Sequence, residues 1–157
     1  MGLINKYLVL LGILILFPSC DRNMVYEQNK SIPDRKWNKD NVLTFDVPLT
    51  DTAQAYNVFI NLRNTGAYPM SNLYLFVTTT APSGLSRRDT VELILADKRG
   101  RWYGKGFGSI WQHQRPFRKN IRFPVPGTYT FNLQQAMRID QLPGVVDAGI
   151  RIEKYNP

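Results

Sequence analysis

Cys20 is the residue whose chemistry the sequence specifies most clearly, because it is the only cysteine and follows an apolar run. That run, Tyr7–Phe17, is preceded by Lys6 and followed by an abruptly polar sequence. A basic start, an apolar segment and a short cleavage region together form an export signal. A cysteine at the cleavage point is typical of lipoproteins, whose new N-terminus receives acyl chains such as palmitate. We predict a signal peptide over residues 1–19 and lipidation of Cys20.

Two alternatives to lipidation remain open at this stage. The residues before the cysteine, Phe17-Pro18-Ser19, depart from the usual lipobox, which has Leu three places before the Cys and small residues between. Plain secretion would leave Cys20 as a free thiol, and an uncleaved signal would act as a membrane span. Tyr7–Phe17 would form only about 16 Å of helix, whereas the hydrocarbon core is about 30 Å thick. Its length therefore favours a cleaved signal.

The second candidate for chemistry is a basic and aromatic stretch, Lys98–Arg122, which contains no acidic residue. Cations beside exposed aromatic rings bind anionic or sugar-like surfaces through charge, stacking and cation–π contacts. The alternative is that the cations are solvated and the tryptophans belong to the core. The candidate interaction surface consists of Arg99, Arg101, Trp102, Lys105, Trp111, Arg115, Arg118 and Lys119.

The sequence provides no catalytic or metal-binding constellation. His113 is the only histidine, and we interpret it as a surface or loop residue rather than a metal ligand. The glycines of Gly104–Gly108 lack the Gly-Lys-Ser/Thr ending of a phosphate loop. The carboxylates are scattered, so no acid pair of a hydrolase can be nominated. We predict no catalytic residue, no metal site and no cofactor, and we expect the protein not to be an enzyme.

The elements that would position these residues follow from the length and charge of the mature chain. Cleavage before Cys20 leaves 138 residues, which suffices for one domain with a core. Removal of Lys6 with the signal lowers the formal net charge from +8 to +7. Such a charge suits anionic glycans, lipids or acidic protein faces, and an exported protein rarely meets nucleic acid. A lipidated Cys20 leaves no cysteine for a disulfide, so the domain depends on packing alone.

The hydrophobic pattern divides the mature chain into two parts. Residues 20–40 are polar and interrupted by Pro33, so we predict a tether in which Met24–Glu27 could pair as an edge strand. From residue 41 to 157 apolar residues alternate with polar ones, which predicts about eight strands. The strongest alternating segments are Leu43–Leu49, Tyr56–Leu62, Leu73–Val77, Val91–Leu95, Ile121–Phe123, Tyr129–Leu133 and Val146–Ile152.

Turn-forming clusters separate these predicted strands, among them Asn64-Thr65-Gly66, Pro82-Ser83-Gly84 and Pro126-Gly127. No helix is long enough to connect parallel strands, so the strands are expected to be antiparallel. An antiparallel β-sandwich of the jelly-roll type limits the number of open edges for eight strands. The predicted fold is therefore an all-β, jelly-roll-like sandwich.

Ordered blocks of the sequence, among them Tyr56–Gly66, Ser71–Val77 and Gly149–Glu153, resemble the gliding-motility lipoprotein GldH family of Bacteroidota. The resemblance runs from about Val25 to Lys154. It implies an envelope lipoprotein needed for gliding and linked to the machinery that secretes and moves surface adhesins, and it implies no catalytic residue. The blocks that carry it are Tyr56–Gly66, Tyr68-Pro69, Ser71–Val77, Asp89–Glu92, Leu95–Asp97, Gly100, Trp102, Gly104, Gly106, Asn120–Pro124, Gly127–Phe131, Gln135–Arg138, Leu142–Val145 and Gly149–Glu153.

Two tripeptides, Asp51-Thr52-Ala53 and Asp89-Thr90-Val91, match the acceptor pattern for O-glycans on exported proteins of Bacteroidota. About half a match would arise by chance, so two matches are a small excess. We predict Thr52 and Thr90 as possible acceptors.

Three functions remain for comparison with the structure. The first is a lipid-anchored, non-catalytic envelope protein, expected in the outer membrane and facing the periplasm, that binds other envelope, motility or secretion proteins. The second is a glycan-binding module, which requires at least two coplanar exposed rings among Trp37, Trp102, Tyr103 and Trp111. The third is a hydrolase, for which the sequence nominates no residues.

Overall fold

The protein is a two-layer β-sandwich in a computed structural model that describes residues 22–157. The prediction of an all-β sandwich is confirmed. The described residues form no α-helix, and a three-residue 3-10 turn occupies Pro33–Arg35. The strands are β1 (Met24–Ser31), β2 (Lys36–Asn38), β3 (Leu43–Leu49), β4 (Tyr56–Thr65), β5 (Asn72–Thr80), β6 (Ser86–Ile94), β7 (Lys105–Phe107), β8 (Ile110–Ile121), β9 (Gly127–Gln135), β10 (Gln141–Pro143) and β11 (Val145–Lys154).

The strand order is that of a jelly roll. One sheet has the order β1-β11-β4-β8-β7, the other has the order β3-β9-β5-β6, and β10 pairs with β2 in a separate ribbon. The eight long strands in chain order are β1, β3, β4, β5, β6, β8, β9 and β11. If these are renumbered 1 to 8, the two sheets have the strand orders 1-8-3-6 and 2-7-4-5, and all pairs are antiparallel. Two Greek keys wrapped in this way make a jelly roll.

The core lies between the two sheets and explains the alternation in the sequence. On β3 every second residue, from Leu43 to Leu49, is buried, and the intervening residues are exposed. On β4 the inward residues Val58, Ile60 and Leu62 are fully buried. Each such side chain contributes roughly 1.5–3 kcal/mol when it leaves water, so the core alone can fix the strand register.

Residues 24–40 correct one prediction, because they belong to the sandwich and not to a tether. β1 pairs with β11 along its length as an edge strand, which confirms the pairing expected for Met24–Glu27. Trp37 on β2 is fully buried, and its indole Nε1 donates to the backbone oxygen of Asn41 at 2.9 Å. β1 is polar because an edge strand contacts the core with few side chains. Cys20 and the predicted signal peptide lie outside the described residues.

The sandwich has two ends that differ in construction. At the proximal end the described chain begins at Arg22, and the strands are connected by residues 50–55, 81–85 and 122–126. At the distal end the connections are residues 66–71, 95–104 and 136–144. No helix among residues 22–157 is long and apolar enough to cross a membrane.

Candidate interaction surface

The predicted interaction surface lies along one side of the sandwich, here called the open side, where the edges of β6 and β8 face each other. Arg118 of β8 forms an ion pair with Asp89 of β6 at 2.7 Å. Arg115 of β8 donates to the backbone oxygen of Ile94 at 3.0 Å. These two contacts connect the sheets across the open side.

The structure does not bring the eight predicted residues into one patch. Residues 99–105 and Trp111 lie at the distal end, whereas Arg118 and Lys119 lie near the proximal end of β8. The segment from Trp111 to Lys119 spans roughly 25 Å of strand. A single ligand the size of a sugar therefore cannot contact all eight residues.

Arg101 has a structural role in its own turn. Its Nε donates to Asp97 Oδ2 at 2.7 Å, and Asp97 Oδ1 accepts the backbone N–H groups of Arg99 and Arg101 at 2.9 Å. The backbone hydrogen bond from Arg101, followed by its side chain, lowers the pKa of Asp97. The carboxylate therefore holds the residues 97–101 turn together.

The aromatic residues form a packed cluster rather than a flat platform. The rings of Trp102 and Trp111 are 5.7 Å apart and tilted by 36°, and Trp102 also packs against Tyr68 at 6.3 Å. Both tryptophans are half-buried, and Trp37 is buried elsewhere in the core. Tyr103 is exposed, with the Arg115 guanidinium 5.7 Å from its ring. The coplanar exposed pair required for glycan binding is absent among these four described residues.

His113 corrects a second prediction, because it is a buried residue and not a surface or loop residue. Its side chain is 2% exposed on the inward face of β8. Asn64 donates through Nδ2 to the Thr65 backbone oxygen, which leaves Asn64 Oδ1 to accept from His113 Nε2 at 2.9 Å. His113 Nδ1 has no hydrogen-bond partner. Burial first, and the positive charge of Arg115 second, lower the pKa of His113 to about 4.

A close contact with Gly104 also encloses His113. A Cβ added at Gly104 would lie 2.8 Å from the imidazole Cε1 and Nε2, so the loop can approach the ring only as glycine. No group of three His, Cys, Asp or Glu side chains that could hold a metal occurs in residues 22–157. The imidazole packs against Gly104 and, at 6.4 Å between ring centroids, against Trp102.

β6 is the feature of the open side that the sequence did not reveal. The backbone N–H of Ala81 donates to Leu85 O at 2.8 Å. Since hydrogen-bonded and non-hydrogen-bonded pairs alternate along an antiparallel ladder, this bond identifies which residues of β6 are hydrogen-bonded to β5. Odd-numbered residues of β6 consequently bond to β5, whereas even-numbered residues from 86 to 94 direct their N–H and C=O groups away from it. Among these even-numbered groups, the carbonyl of Ile94 accepts a hydrogen bond from Arg115.

The other long edges of the described sandwich are interrupted. β1 has a bulge between Met24 and Tyr26, and β3 contains Pro48. β8 contains Pro116, has register shifts, and is covered by β7 over three residues. β6 pairs with β5 in unbroken register over nine residues and contains no proline. Bulges, prolines and charged side chains are means by which edge strands avoid pairing with other chains. β6 has no bulge and no proline, although it carries four charged side chains, Arg87, Arg88, Asp89 and Glu92.

A cleft of about 420 Å³ opens between the sheets at the proximal part of the open side. Most of its lining is apolar and includes Leu85, Phe117, Ile121 and Phe123. β6 and β8 together carry five cationic and two acidic side chains, so the surroundings of the cleft are basic. Arginine ion pairs with Asp89 neutralise only part of this charge.

Solved structures resemble the fold only distantly. A carbohydrate-binding module, CBM28, specific for non-crystalline cellulose, aligns with a TM-score of 0.48 and 9% identity, over 83% of this chain and 75% of the module. The VP2 subviral particle protein of infectious bursal disease virus aligns with a TM-score of 0.36 and 8% identity, over 82% of this chain and 30% of VP2. Both values lie below 0.5, so neither similarity bears on function.

Sequence relatives are much closer. The gliding motility lipoprotein GldH of Flavobacterium johnsoniae is 36% identical in an alignment of 157 positions that covers 96% of each chain. A gliding motility lipoprotein GldH homolog of Christiangramia forsetii is 37% identical in an alignment of 148 positions that covers 90% of each chain. The family model for GldH lipoproteins matches residues 24–152, which include every long strand of the sandwich except the last two residues of β11. This chain therefore belongs to the GldH lipoprotein family, as its resemblance to that family predicted.

Proposed function

We propose that this gliding-motility lipoprotein is a non-catalytic, lipid-anchored component of the cell envelope that binds other envelope proteins through the free edge of β6. The observation that carries the proposal is the unbroken register of that strand, whose even-numbered backbone groups point away from β5. An extended segment of another protein can add to such an edge through main-chain hydrogen bonds. Binding of this kind requires no catalytic group.

The anchor is the lipid on Cys20, and the proposed location is the outer membrane with the domain facing the periplasm. Membership of a lipoprotein family supports the anchor. The position of Cys20 directly after the apolar run supports it independently. The proposed partners are components of the gliding machinery and of the associated system that secretes surface proteins.

The charge of the open side supports an acidic partner segment. Arg87 and Arg88 lie on β6, and Arg118 and Lys119 lie on the neighbouring part of β8. Asp89 and Glu92 are the acids on these two strands. An extended segment with acidic residues beside apolar ones would place carboxylates near the arginines and apolar side chains in the cleft.

Site-specific photo-crosslinking in the native envelope tests this proposal. A photo-reactive residue at position 88 on β6 should capture a partner, whereas one at Thr44 on β3, an edge with a proline, should not. Thr90→Pro removes an N–H that faces away from β5, so the sandwich should fold and capture should fall roughly tenfold. Thr90→Val retains that N–H and serves as the matched control.

Several outcomes of the same experiment would contradict the proposal. Equal capture at positions 88 and 44 would remove the special role of β6. Capture of a second copy of this chain alone would make β6 a dimer interface instead of a partner site. Unchanged capture in Thr90→Pro would show that side chains, and not edge hydrogen bonds, hold the partner.

We also propose Thr52 and Thr90 as O-glycan acceptors. Both side chains are exposed, and Asp51 holds its loop by accepting the N–H groups of Ala53 and Gln54. Thr90 lies on the outer face of β6, so a glycan there would project away from the core. Intact mass spectrometry of the native protein should show additional mass, and Thr52→Val and Thr90→Val should remove it stepwise. A mass equal to that of the acylated polypeptide would contradict glycosylation.

A further inference from the structure

The proximal end carries two exposed apolar tips. Leu85 is 77% exposed in the loop between β5 and β6. Val125 lies between Pro124 and Pro126 in the loop between β8 and β9, and it is also exposed. Both side chains line the same cleft, so the two tips are neighbours. A single exposed leucine is ordinary, but two adjacent apolar loop tips form a contact surface.

Cationic side chains surround these tips. Arg87 and Arg122 line the same cleft, and Arg22 and Lys154 lie where the described chain begins and where β11 ends. All four residues are exposed. The acids at this end are engaged: Asp89 pairs with Arg87 and Arg118, and Asp51 accepts loop N–H groups. Apolar tips within a basic rim are complementary to a membrane with anionic headgroups.

The position of the lipid places this end next to the membrane. Cys20 precedes the first strand residue, Met24, by four positions. Even a fully extended chain spans at most about 14 Å over that distance. A lipid on Cys20 therefore keeps the start of β1 within about two Debye lengths of the headgroups, where cations near the surface are attracted.

We infer that the proximal end is a second membrane contact, in which Leu85 and Val125 enter the headgroup region and the surrounding cations bind lipid phosphates. The inference rests on the lipid anchor in the proposed function. It adds an orientation, because the anchor alone would allow the domain to tilt freely. β6 begins at this end, at Ser86, and runs to the distal end. Docking would therefore hold β6 with its axis directed away from the bilayer, so that its free edge stays accessible along the strand.

Depth-dependent quenching of the lipidated protein tests the contact. Leu85→Cys and, as the matched control at the distal end, Ser109→Cys would each carry an environment-sensitive fluorophore, because acylation occupies the thiol-bearing Cys20. The proteins would be reconstituted in vesicles of phosphatidylcholine and phosphatidylglycerol that contain brominated lipid. We expect several-fold stronger quenching at position 85 than at position 109. Equal quenching at both positions, or none at position 85, would overturn the inference.

Two double variants distinguish the contribution of the apolar tips to membrane contact from that of the arginines. The double variant Leu85→Asn with Val125→Asn should abolish quenching of a label placed at Ser83→Cys in the same loop, because the apolar tips no longer enter the bilayer. Arg87→Gln with Arg122→Gln should weaken quenching in anionic vesicles and have little effect in phosphatidylcholine alone. Undiminished quenching in both double variants would contradict docking through these residues.

Flotation with the vesicles distinguishes the anchor from the docking contact. A protein that floats but shows no quenching at position 85 retains the anchor and contradicts docking. A protein that does not float contradicts the anchor, and quenching at position 85 upon addition of the same vesicles then decides docking by itself. Circular dichroism should be unchanged in every variant, because the substituted side chains are exposed.

Discussion

The two ends of the sandwich differ in how their apolar side chains are packed. At the distal end, Trp102, Trp111 and Tyr68 pack as an aromatic cluster around the buried His113. At the proximal end the loops project apolar tips such as Leu85 into solvent. The distal end therefore combines a packed aromatic cluster with the exposed ring of Phe107, whereas the proximal end combines exposed apolar loop tips with exposed cations. The difference teaches that exposure, more than composition, separates contact residues from core residues here.

The largest expected effect concerns the anchor at the proximal end. Cys20→Ala removes the acylated residue, so the domain should move from the membrane fraction to the soluble fraction while its fold stays intact. Cell fractionation with immunodetection measures this change, and circular dichroism verifies the fold. A Cys20→Ala protein that remained in membranes washed with high salt, which weakens a contact made through cations, would make the apolar run Tyr7–Phe17 the anchor and would refute cleavage after Ser19.

Two glycines of positive φ provide a matched comparison of stability at the two ends. Gly144 at the distal end has φ 83°, and an added Cβ would lie 2.6 Å from the Cα of Tyr68. Gly84 at the proximal end has φ 85°, and an added Cβ would meet nothing within 4 Å. We expect Gly144→Ala to lower the free energy of unfolding by about 3–5 kcal/mol and Gly84→Ala by about 1 kcal/mol.

Chemical denaturation of the two variants measures this difference. The left-handed backbone costs both variants a similar amount, so the excess loss in Gly144→Ala reports the collision with the Tyr68 backbone. Equal losses would mean that the distal end is no more tightly packed than the proximal end.

The buried histidine should make stability depend on pH. The pKa of His113 is about 4 in the folded protein, below its ordinary value of 6.5, so the unfolded chain binds more protons between these values. Stability is therefore fully present above pH 6.5 and decreases as the pH falls toward 4, by up to about 3 kcal/mol. His113→Gln, which can still donate to Asn64, should remove this part of the pH dependence.

Urea denaturation at several pH values measures the effect in both proteins. The acidic groups titrate in the same range, so the difference between the wild type and His113→Gln isolates the histidine. Parallel stability curves for the two proteins would contradict a buried neutral imidazole at the distal end.

The smallest expected effect sharpens the comparison at the proximal end. Leu85→Asn should change the free energy of unfolding by no more than about 0.5 kcal/mol, because the side chain is exposed in the native state. Thermal denaturation in the absence of lipid measures it. A loss of several kcal/mol would show that Leu85 belongs to the core, and it would remove one of the two tips of the membrane contact.

The sequence predicted those strands that have one buried apolar face, such as β3 and β9, because period-two alternation is a local signal. Of β8 it predicted only the last residue, Ile121, as part of a strand. The inward positions of β8 include His113 and Arg115 in place of aliphatic residues, so the apolar alternation is missing. It assigned β1 and β2 to a tether for a related reason. Polar side chains on an edge strand resemble those of a linker until the partner strand is known.

The candidate site was predicted in part. The sequence identified the basic residues of β8 but could not find the free edge of β6, since an edge is defined by the absence of a neighbour. It also could not tell that Trp102 packs with Trp111 and His113, because ring contacts arise between residues that the chain brings together only after folding.

By itself the sequence determined the sandwich class, through alternation and turns, and it predicted export and lipidation through the position of Cys20. These properties are local, so neighbouring residues suffice to encode them. Only the tertiary structure decided which strand keeps a free edge, which histidine is buried and which loops share the end where the chain begins. These properties depend on antiparallel pairing between residues far apart in the chain, and the hydrophobic pattern of one segment carries no information about its partner.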